Sequence, residues 1–209
     1  MKICLTNIFR VATSKIPTDK LSKRAKEKFY SLEQNAPESA VQCAIGDLLL
    51  SAEQIESGNG AGEVLQNENG KPYILNAPFE FNISHSKNVV VLATNDQPVG
   101  IDVQTLSSAK LDMAKTLLNQ LELEQFNSLL TDDAKAKHLI KCFTQKEAYV
   151  KMLGERLPYP PSVIKSYPNA KFVTKYIFQD NEVYCLTVCS PEITSLTFKV
   201  YDVFELIKP

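Results

Sequence analysis

The sequence lacks a long apolar run. None of its hydrophobic stretches approaches the roughly 20 residues that a membrane-spanning helix needs, so we expect no transmembrane segment and no membrane partner. The first ten residues, MKICLTNIFR, contain only a short apolar stretch that Thr6 and Asn7 interrupt. This pattern predicts a strand instead of a secretory signal. We therefore expect a cytoplasmic protein.

Cysteines are few, odd in number and scattered. They are Cys4, Cys43, Cys142, Cys185 and Cys189. This distribution argues against a disulfide framework. Cys185 and Cys189 could share one face of a strand, but no His or further Cys lies near them, which disfavours a zinc site. Buried free thiols are the prediction.

No sign of charge dominates. The net charge is −1, which gives no general attraction to nucleic acid. The composition, with 44% hydrophobic and 22% charged residues in 209, is that of an ordinary globular protein. One stretch is locally basic and contains Lys20, Lys23, Arg24, Lys26 and Lys28. It is either the solvated face of a helix or a contact for a phosphorylated ligand, and both interpretations stay open.

Helical and strand patterns alternate along the chain. Apolar periodicity predicts strands over 1–9, 88–95 and 99–104, helices over 20–34, 37–56, 109–130 and 133–153, and β-rich segments over 163–206. The fold class is therefore α/β (α+β). Each half contains a strand, a helical region and further strands, which predicts two similar lobes, an N-terminal one over 1–100 and a C-terminal one over 101–209.

Two segments carry polar groups at regular spacing. In VGIDVQ, Asp102 and Gln104 share one strand face, so both side chains can reach one hard cation, although a solvated strand edge is the simpler interpretation. In FTQKEAYVK, Phe143, Glu147 and Lys151 follow at helical spacing. Glu147 and Lys151 are either a surface ion pair or a metal ligand (or base) and a phosphate contact.

A third polar segment, FNISHSK, places Ser84, His85 and Ser86 between apolar strands. Adjacency of Ser84 and His85 does not make a nucleophilic dyad, because such sites are defined by spatial geometry. The sequence also contains no nucleophile elbow, P-loop or dinucleotide-binding fingerprint. A structural His is the simpler interpretation of this segment by itself.

Taken together, these segments resemble the Sfp-type 4′-phosphopantetheinyl transferases. The family pattern G-K-P, F-N-x-S-H-S, G-[IV]-D-[IV]-E and W-x-x-K-E-x-x-x-K is matched in order and spacing by residues 70–72, 81–86, 99–104 and 143–151. The main similarity covers residues 70–157, and KFYSL and IGDLLL extend it more weakly upstream.

The resemblance implies two α/β lobes related by pseudo-twofold symmetry, with the active site between them. It implies transfer of the 4′-phosphopantetheine group of coenzyme A to a serine of an acyl or peptidyl carrier protein, with release of 3′,5′-ADP. The metal would be Mg²⁺, with Mn²⁺ as the alternative, and we expect a monomer.

The same resemblance implies roles for individual residues. Asp102 and Glu147 would bind the metal, Lys151 would contact phosphate and stabilise developing charge, and Lys71, Ser84 and His85 would lie at the coenzyme A phosphates. Catalysis is expected from Glu147 and Lys151, and the proton of the carrier serine would pass to Glu147 or to a water that it holds.

The chain departs from the family pattern at several positions. Gln104 stands where the family has Glu, and Phe143 where it has Trp. Gln104 is counted as a third metal-site residue, and it is also the best argument for the alternative hypothesis, a non-catalytic homologue that binds coenzyme A or carrier protein. The basic positions do not align one to one, which leaves Lys23, Arg24 and Lys28 as candidates, and the acidic residue of a further family motif is Glu122 or Glu124.

Overall fold

The structure, a computed structural model, describes residues 1–58 and 62–208 and has mixed α/β architecture, which confirms the predicted class. The strands are β1 Lys2–Asn7, β2 Val64–Gln66, β3 Pro72–Ile74, β4 Glu80–Ser86, β5 Val89–Asn95, β6 Gly100–Thr105, β7 Lys171–Gln179, β8 Glu182–Ser190 and β9 Thr197–Tyr201. The helices are α1 Lys23–Leu32, α2 Pro37–Glu56, α3 Ala114–Leu117, α4 Gln120–Ser128, α5 Asp132–Leu153 and α6 Val203–Leu206.

The chain divides into two compact units. The first contains Met1–Asp96 and the segment from Thr194 onward, and the second contains Gln97–Ile193. The sequence-based division, 1–100 and 101–209, differs from this at the C-terminal end. The physical reason is that β9 pairs in parallel with β1, which adds the end of the chain to the first sheet.

The first unit is built around a mixed sheet in the order β4-β5-β1-β9, with a small β2-β3 hairpin beside it. Helix α2 begins with Pro37 at its first turn and has an apolar stripe that packs on one face of this sheet. From α2, the stripe contributes Ile45 and Leu49, which join Cys4 and Leu92 of the sheet in one buried core.

The second unit contains an antiparallel sheet in the order β6-β8-β7, and α5 lies against it. Strand β8 is buried along most of its length, as a central strand covered by a helix requires. Three hydroxyl groups connect helix and sheet: Thr144 of α5 lies 2.8 Å from Thr187 of β8, which lies 3.0 Å from Thr174 of β7. Helix α5 is capped by Gly154, which adopts the left-handed conformation (φ 72°) that glycine allows without strain.

Two predicted elements are wrong in detail. The single helix expected over 109–130 is two α-helices, α3 and α4, because Asn119 is extended and caps α4 in a capping box with Glu122. The last β-rich segment also ends early, since Asp202 accepts a hydrogen bond from the Phe204 amide and starts α6. Asx-type caps of this kind override apolar periodicity at the ends of elements.

The cysteines are free thiols, as predicted, and four of them are buried while Cys43 is half-buried. Within residues 1–58 and 62–208, no helix is long and apolar enough to cross a membrane.

Candidate functional site

The site residues of β6 are presented to α5 by a close approach of strand and helix. A Cβ atom on Gly100 would lie 1.9 Å from the backbone oxygen of Ala148, so only glycine permits this spacing. Two residues further along the strand, Asp102 lies on the same face. The exposed fraction of Asp102 is only 1%. The glycine of VGIDVQ therefore sets the depth at which the carboxylate lies beneath α5.

Helix α5 supplies the basic partner of this carboxylate. Lys151 Nζ donates to Asp102 Oδ1 at 2.6 Å and approaches the Ile101 carbonyl oxygen at 3.4 Å. The same nitrogen lies 3.9 Å from Glu147 Oε2, one helical turn earlier. Gln104 Nε2 lies 3.5 Å from Asp102 Oδ2. The structure thus brings together four site residues that the sequence predicted in this unit, which are Asp102, Gln104, Glu147 and Lys151.

Burial governs the electrostatics of Glu147. Desolvation raises the pKa of its carboxyl above the ordinary value, Lys151 lowers it, and the Asp102 carboxylate raises it further. The balance is upward, because desolvation by burial outweighs the opposing effect of Lys151. A group in this position is more readily protonated than an exposed glutamate.

The donor set fits a magnesium ion. Asp102 and Glu147 both have a carboxylate oxygen within 3.9 Å of the same nitrogen, and the Gln104 amide lies next to Asp102, with its nitrogen 3.5 Å from Oδ2. Mg²⁺ takes oxygen ligands and is commonly held by one or two carboxylates plus substrate phosphates. The described residues contain no group of three or more His, Cys, Asp or Glu side chains suited to a metal. Asp102 and Glu147 supply the two carboxylates that such a site uses.

The remaining predicted residues lie in the first unit, around β3 and β4. Lys71 lies in the turn that precedes β3, where its amide donates to Asn67 Oδ1 at 2.8 Å. Burial lowers the pKa of its amine, and Glu80 at the start of β4 opposes this shift. Ser84 is buried and His85 is exposed, and as neighbours on β4 they point to opposite faces of the strand.

The basic candidates are distributed unevenly around α1. Lys23 and Arg24, at the start of the helix, line a cavity of about 440 Å³ together with Lys20. Within the described part of the chain, Arg24 Nε is buried without a hydrogen-bond partner. Lys28 is exposed and is not among the residues that line this cavity.

Sequence reasoning missed a buried ion pair next to the site. Lys146 is fully buried and contacts the Glu122 carboxylate, whose side chain is 12% exposed. Glu122 also accepts from the Asn119 amide at 2.8 Å and from the Tyr167 hydroxyl at 3.3 Å. Glu124 instead accepts from Gln120 on the surface. Of the two acidic candidates on α4, Glu122 is thus the one that contacts α5.

One feature of the sequence indicates this pair. Leu139, Cys142 and Lys146 recur at helical spacing, and the first two belong to the core between α4 and α5. A lysine that continues an apolar stripe requires a buried carboxylate partner. The identity of that partner depends on tertiary structure.

Carboxylates, an amide and an ammonium group gathered on one strand and one helix define a class of site. It suits a divalent cation and a phosphate-bearing ligand, because the carboxylates hold the cation while the ammonium group faces negative charge.

Comparison with known proteins shows which family this part of the chain is similar to. The model of the 4′-phosphopantetheinyl transferase superfamily matches residues 98–191, which contain all four residues of this cluster. The chain is 29% identical over 158 residues to the 4′-phosphopantetheinyl transferase gsp of Aneurinibacillus migulanus, covering 74% of this chain and 65% of that protein. It is 30% identical over 129 residues to 4′-phosphopantetheinyl transferase Sfp of Bacillus subtilis (strain 168), covering 59% of this chain and 56% of Sfp.

A third relative, 4′-phosphopantetheinyl transferase psf-1 of Bacillus pumilus, is 33% identical over 94 residues, covering 44% of this chain and 39% of psf-1. The chain therefore spans less than two thirds of the length of each of these relatives. Residues 98–191 thus match the model of the 4′-phosphopantetheinyl transferase superfamily, and the chain is similar to Sfp-type members of it.

Proposed function

We propose that this chain transfers the 4′-phosphopantetheine group of coenzyme A to a serine of an acyl or peptidyl carrier protein. The observation that carries the proposal is the cluster of Asp102, Glu147 and Lys151, in which one ammonium group lies 2.6 Å and 3.9 Å from two carboxylates. The cluster lies inside the segment that matches the family. Its chemistry agrees with a reaction at a pyrophosphate.

Asp102 and Glu147 are the proposed metal ligands, and Gln104 is the proposed third, through its amide oxygen or through a water. When bound, Mg²⁺ supplies charge neutralisation at the pyrophosphate and at the leaving group. Lys151 adds a positive charge where negative charge grows in the transition state.

In the proposed reaction the serine oxygen forms a bond to the β-phosphorus of coenzyme A, and the bond to 3′,5′-ADP breaks. The serine proton passes to Glu147 or to a water that Glu147 holds. The raised pKa of Glu147 favours a role as base, since it improves the affinity of the carboxylate for a proton.

Lys71, Ser84 and His85 are the proposed contacts for the coenzyme A phosphates, including the 3′-phosphate. Burial of Lys71 supports a role with an anion, because the lowered pKa of its amine shows that the charge lacks full solvation. Lys23 and Arg24, which line the cavity at α1, remain further candidates, while the exposed position of Lys28 gives it less support.

A second candidate function is a homologue that binds coenzyme A or carrier protein without catalysis. Gln104 favours it, because the amide brings no negative charge next to Asp102. The two functions are separated by measuring Mg²⁺-dependent release of 3′,5′-ADP from coenzyme A in the presence of apo carrier proteins. Release that requires both the metal and the carrier supports the transferase, and binding of coenzyme A without release supports the alternative.

Several expectations from the sequence stay predictions. These are the similarity of the two lobes, the monomeric state, the cytoplasmic location, and the lack of nucleic-acid and membrane partners. The type of carrier, whether from fatty-acid, polyketide or peptide synthesis, would be identified by assaying apo carrier proteins of each type.

A further inference from the structure

We propose that Lys151 is an internal counter-ion of the site, which competes with the divalent cation for Asp102 and is released toward substrate phosphate when that cation binds. This inference rests on the proposed function and concerns how the same site is controlled. It gives Lys151 a second role besides its phosphate contact.

The first argument is the depth of Asp102. Its exposed fraction is 1%, so water solvates this carboxylate poorly. A buried carboxylate is tolerated when a positive charge and hydrogen bonds compensate it. Lys151 Nζ donates to Asp102 Oδ1 at 2.6 Å, a charge-assisted hydrogen bond of short length.

The second argument is that Lys151 occupies the approach to both carboxylates. Its nitrogen contacts Asp102 and lies 3.9 Å from Glu147 Oε2. A divalent cation held by these two carboxylates meets the like charge of the ammonium group at close range. Because Coulomb repulsion grows as distance and solvation fall, the cation binds with full strength only after the ammonium group moves away.

The third argument is that Lys151 is able to move. Its side chain is 26% exposed and has a flexible four-carbon stem. Lys146, on the same helix, provides the contrast, because its side chain is fully buried against Glu122. Of the two lysines, Lys151 is therefore the one whose ammonium group can leave its carboxylate partner and pair with a phosphate of a bound ligand.

Competition has a measurable consequence that a simple phosphate contact lacks. Removing the ammonium group should strengthen metal binding to the free protein while weakening transfer. A residue that only contacts phosphate should change transfer and leave the metal affinity of the free protein unaltered. Because linkage is reciprocal, any ligand that attracts Lys151 should also raise the affinity for metal.

The test is titration of Mn²⁺ into the protein without coenzyme A, with free Mn²⁺ measured by electron paramagnetic resonance. Lys151→Met is expected to lower the Kd by about tenfold or more, since it removes a like charge at close range. Lys151→Gln should act in the same direction, and Lys151→Arg should stay near wild type. Circular dichroism verifies that each variant is folded.

Lys137→Met is the matched control. Lys137 lies on the same helix, is half-exposed and pairs with Asp133, so the variant removes one positive charge away from the site. Its Kd for Mn²⁺ should stay at the wild-type value. An unchanged or higher Kd in both Lys151→Met and Lys151→Gln overturns the inference, and so does an equal decrease in Lys137→Met.

The outcome is distinguishable from failure of the proposed function. Wild-type protein is assayed in parallel for transfer to apo carriers. Transfer by wild type together with an unaltered Kd in the Lys151 variants rejects the competition and leaves the transferase standing. A lower Kd without transfer by wild type on any carrier rejects the transferase and supports the competition.

Discussion

Each unit contains a cluster of carboxylates and lysines, and the two clusters differ in their balance of charge. In the first unit, Lys2 lies 2.8 Å from Glu53 and 3.1 Å from Glu56, and Lys199 also contacts Glu56. Two carboxylates thus face two ammonium groups. Tyr201 on β9 adds a hydrogen bond to Glu53 at 2.5 Å.

In the second unit, Asp102 and Glu147 share Lys151, and their neighbour Gln104 is uncharged. The pKa values of Glu53 and Glu147 reflect this difference in charge balance. Burial alone would raise the pKa of Glu53, but hydrogen bonds from Lys2 and Tyr201 lower it overall. The pKa of Glu147 is raised, since burial outweighs its partial share of one lysine.

A structural cluster thus differs from the candidate site in its balance of charge. Balanced charges on β1, α2 and β9 link the C-terminal strand to its sheet, and the four charged groups leave no net charge among them. The cluster on β6 and α5 has one negative charge in excess. This excess favours binding of a cation, and it destabilises the cluster when no cation is bound. Variants in these clusters and in the buried Lys146–Glu122 pair test this difference in charge balance.

The largest effect on stability is expected at the buried ion pair of Lys146 and Glu122 in the second unit, where the charges are also balanced. Lys146→Met leaves the Glu122 carboxylate, 12% exposed, without its ammonium partner. The free energy of unfolding should fall by about 3 kcal/mol, because a buried charge without its partner is costly. Urea denaturation measures the change.

The double variant Glu122→Gln, Lys146→Met should recover part of that loss, since it removes both charges. Lys137→Met on the same helix is the control and should change stability little, because its ion pair is on the surface. A Lys146→Met protein as stable as wild type would contradict the structural role of the pair.

Turnover should depend on Asp102 far more than stability does. Asp102→Asn keeps the shape of the side chain and removes the charge that the proposed reaction uses. The rate of 3′,5′-ADP release should fall by about 100-fold, in line with the loss of one electrostatic group at a reacting centre. The melting temperature should stay close to wild type, because Lys151 is 26% exposed and can turn to water. Undiminished release would remove Asp102 from the mechanism.

Glu53→Gln tests the balanced cluster through its pH dependence. A folded-state pKa that is lower than the unfolded one contributes stability above the unfolded pKa, and this is lost as pH falls through the folded pKa. The variant should therefore be less stable than wild type by about 1 kcal/mol near neutral pH. The difference should shrink below about pH 4. A difference that is independent of pH would show that the carboxylate charge is not what stabilises β9.

The smallest effect is expected when a further negative charge is added to the cluster around Asp102. Gln104→Glu places a carboxylate next to Asp102 and should tighten Mg²⁺ binding to the free protein by about threefold, the gain expected of a partly exposed charge pair. Calorimetric titration with and without coenzyme A measures it. Gln125→Glu, exposed on α4, is the control for added charge. Equal affinities in Gln104→Glu and wild type would mean that this side chain does not face the metal.

Local periodicity predicted the parts of the candidate site that depend on one element. Alternation along β6 placed Asp102 and Gln104 on one face, and helical spacing placed Glu147 one turn from Lys151. The contact between Asp102 and Lys151 joins two elements, and no local pattern specifies it. The resemblance implied that Asp102 and Lys151 belong to one site, but the ion pair between them was not predicted.

Features that depend on distant pairing were not predictable from the sequence. Lys146 has its partner on α4, which the apolar pattern merged with α3 into one helix, because Leu118 and Asn119 do not interrupt the periodicity. Strand β9 was expected in the second lobe, yet Thr6 donates to the Tyr201 carbonyl across 195 positions of the chain. Parallel pairing of terminal strands leaves no short-range mark in the sequence.

In the proposed transferase, the charge excess around Asp102 is required for transfer, while the balanced cluster of the first unit has a structural role. Intact-mass spectrometry of a panel of apo carrier proteins, each incubated with coenzyme A, Mg²⁺ and the protein, tests it most directly. Wild type and Glu56→Gln, which removes a carboxylate from the balanced cluster, should add one phosphopantetheine group to at least one carrier, and Asp102→Asn should add little or none. No mass increase on any carrier with wild type would contradict the proposed transfer, and equal increases with wild type and Asp102→Asn would contradict the role of Asp102.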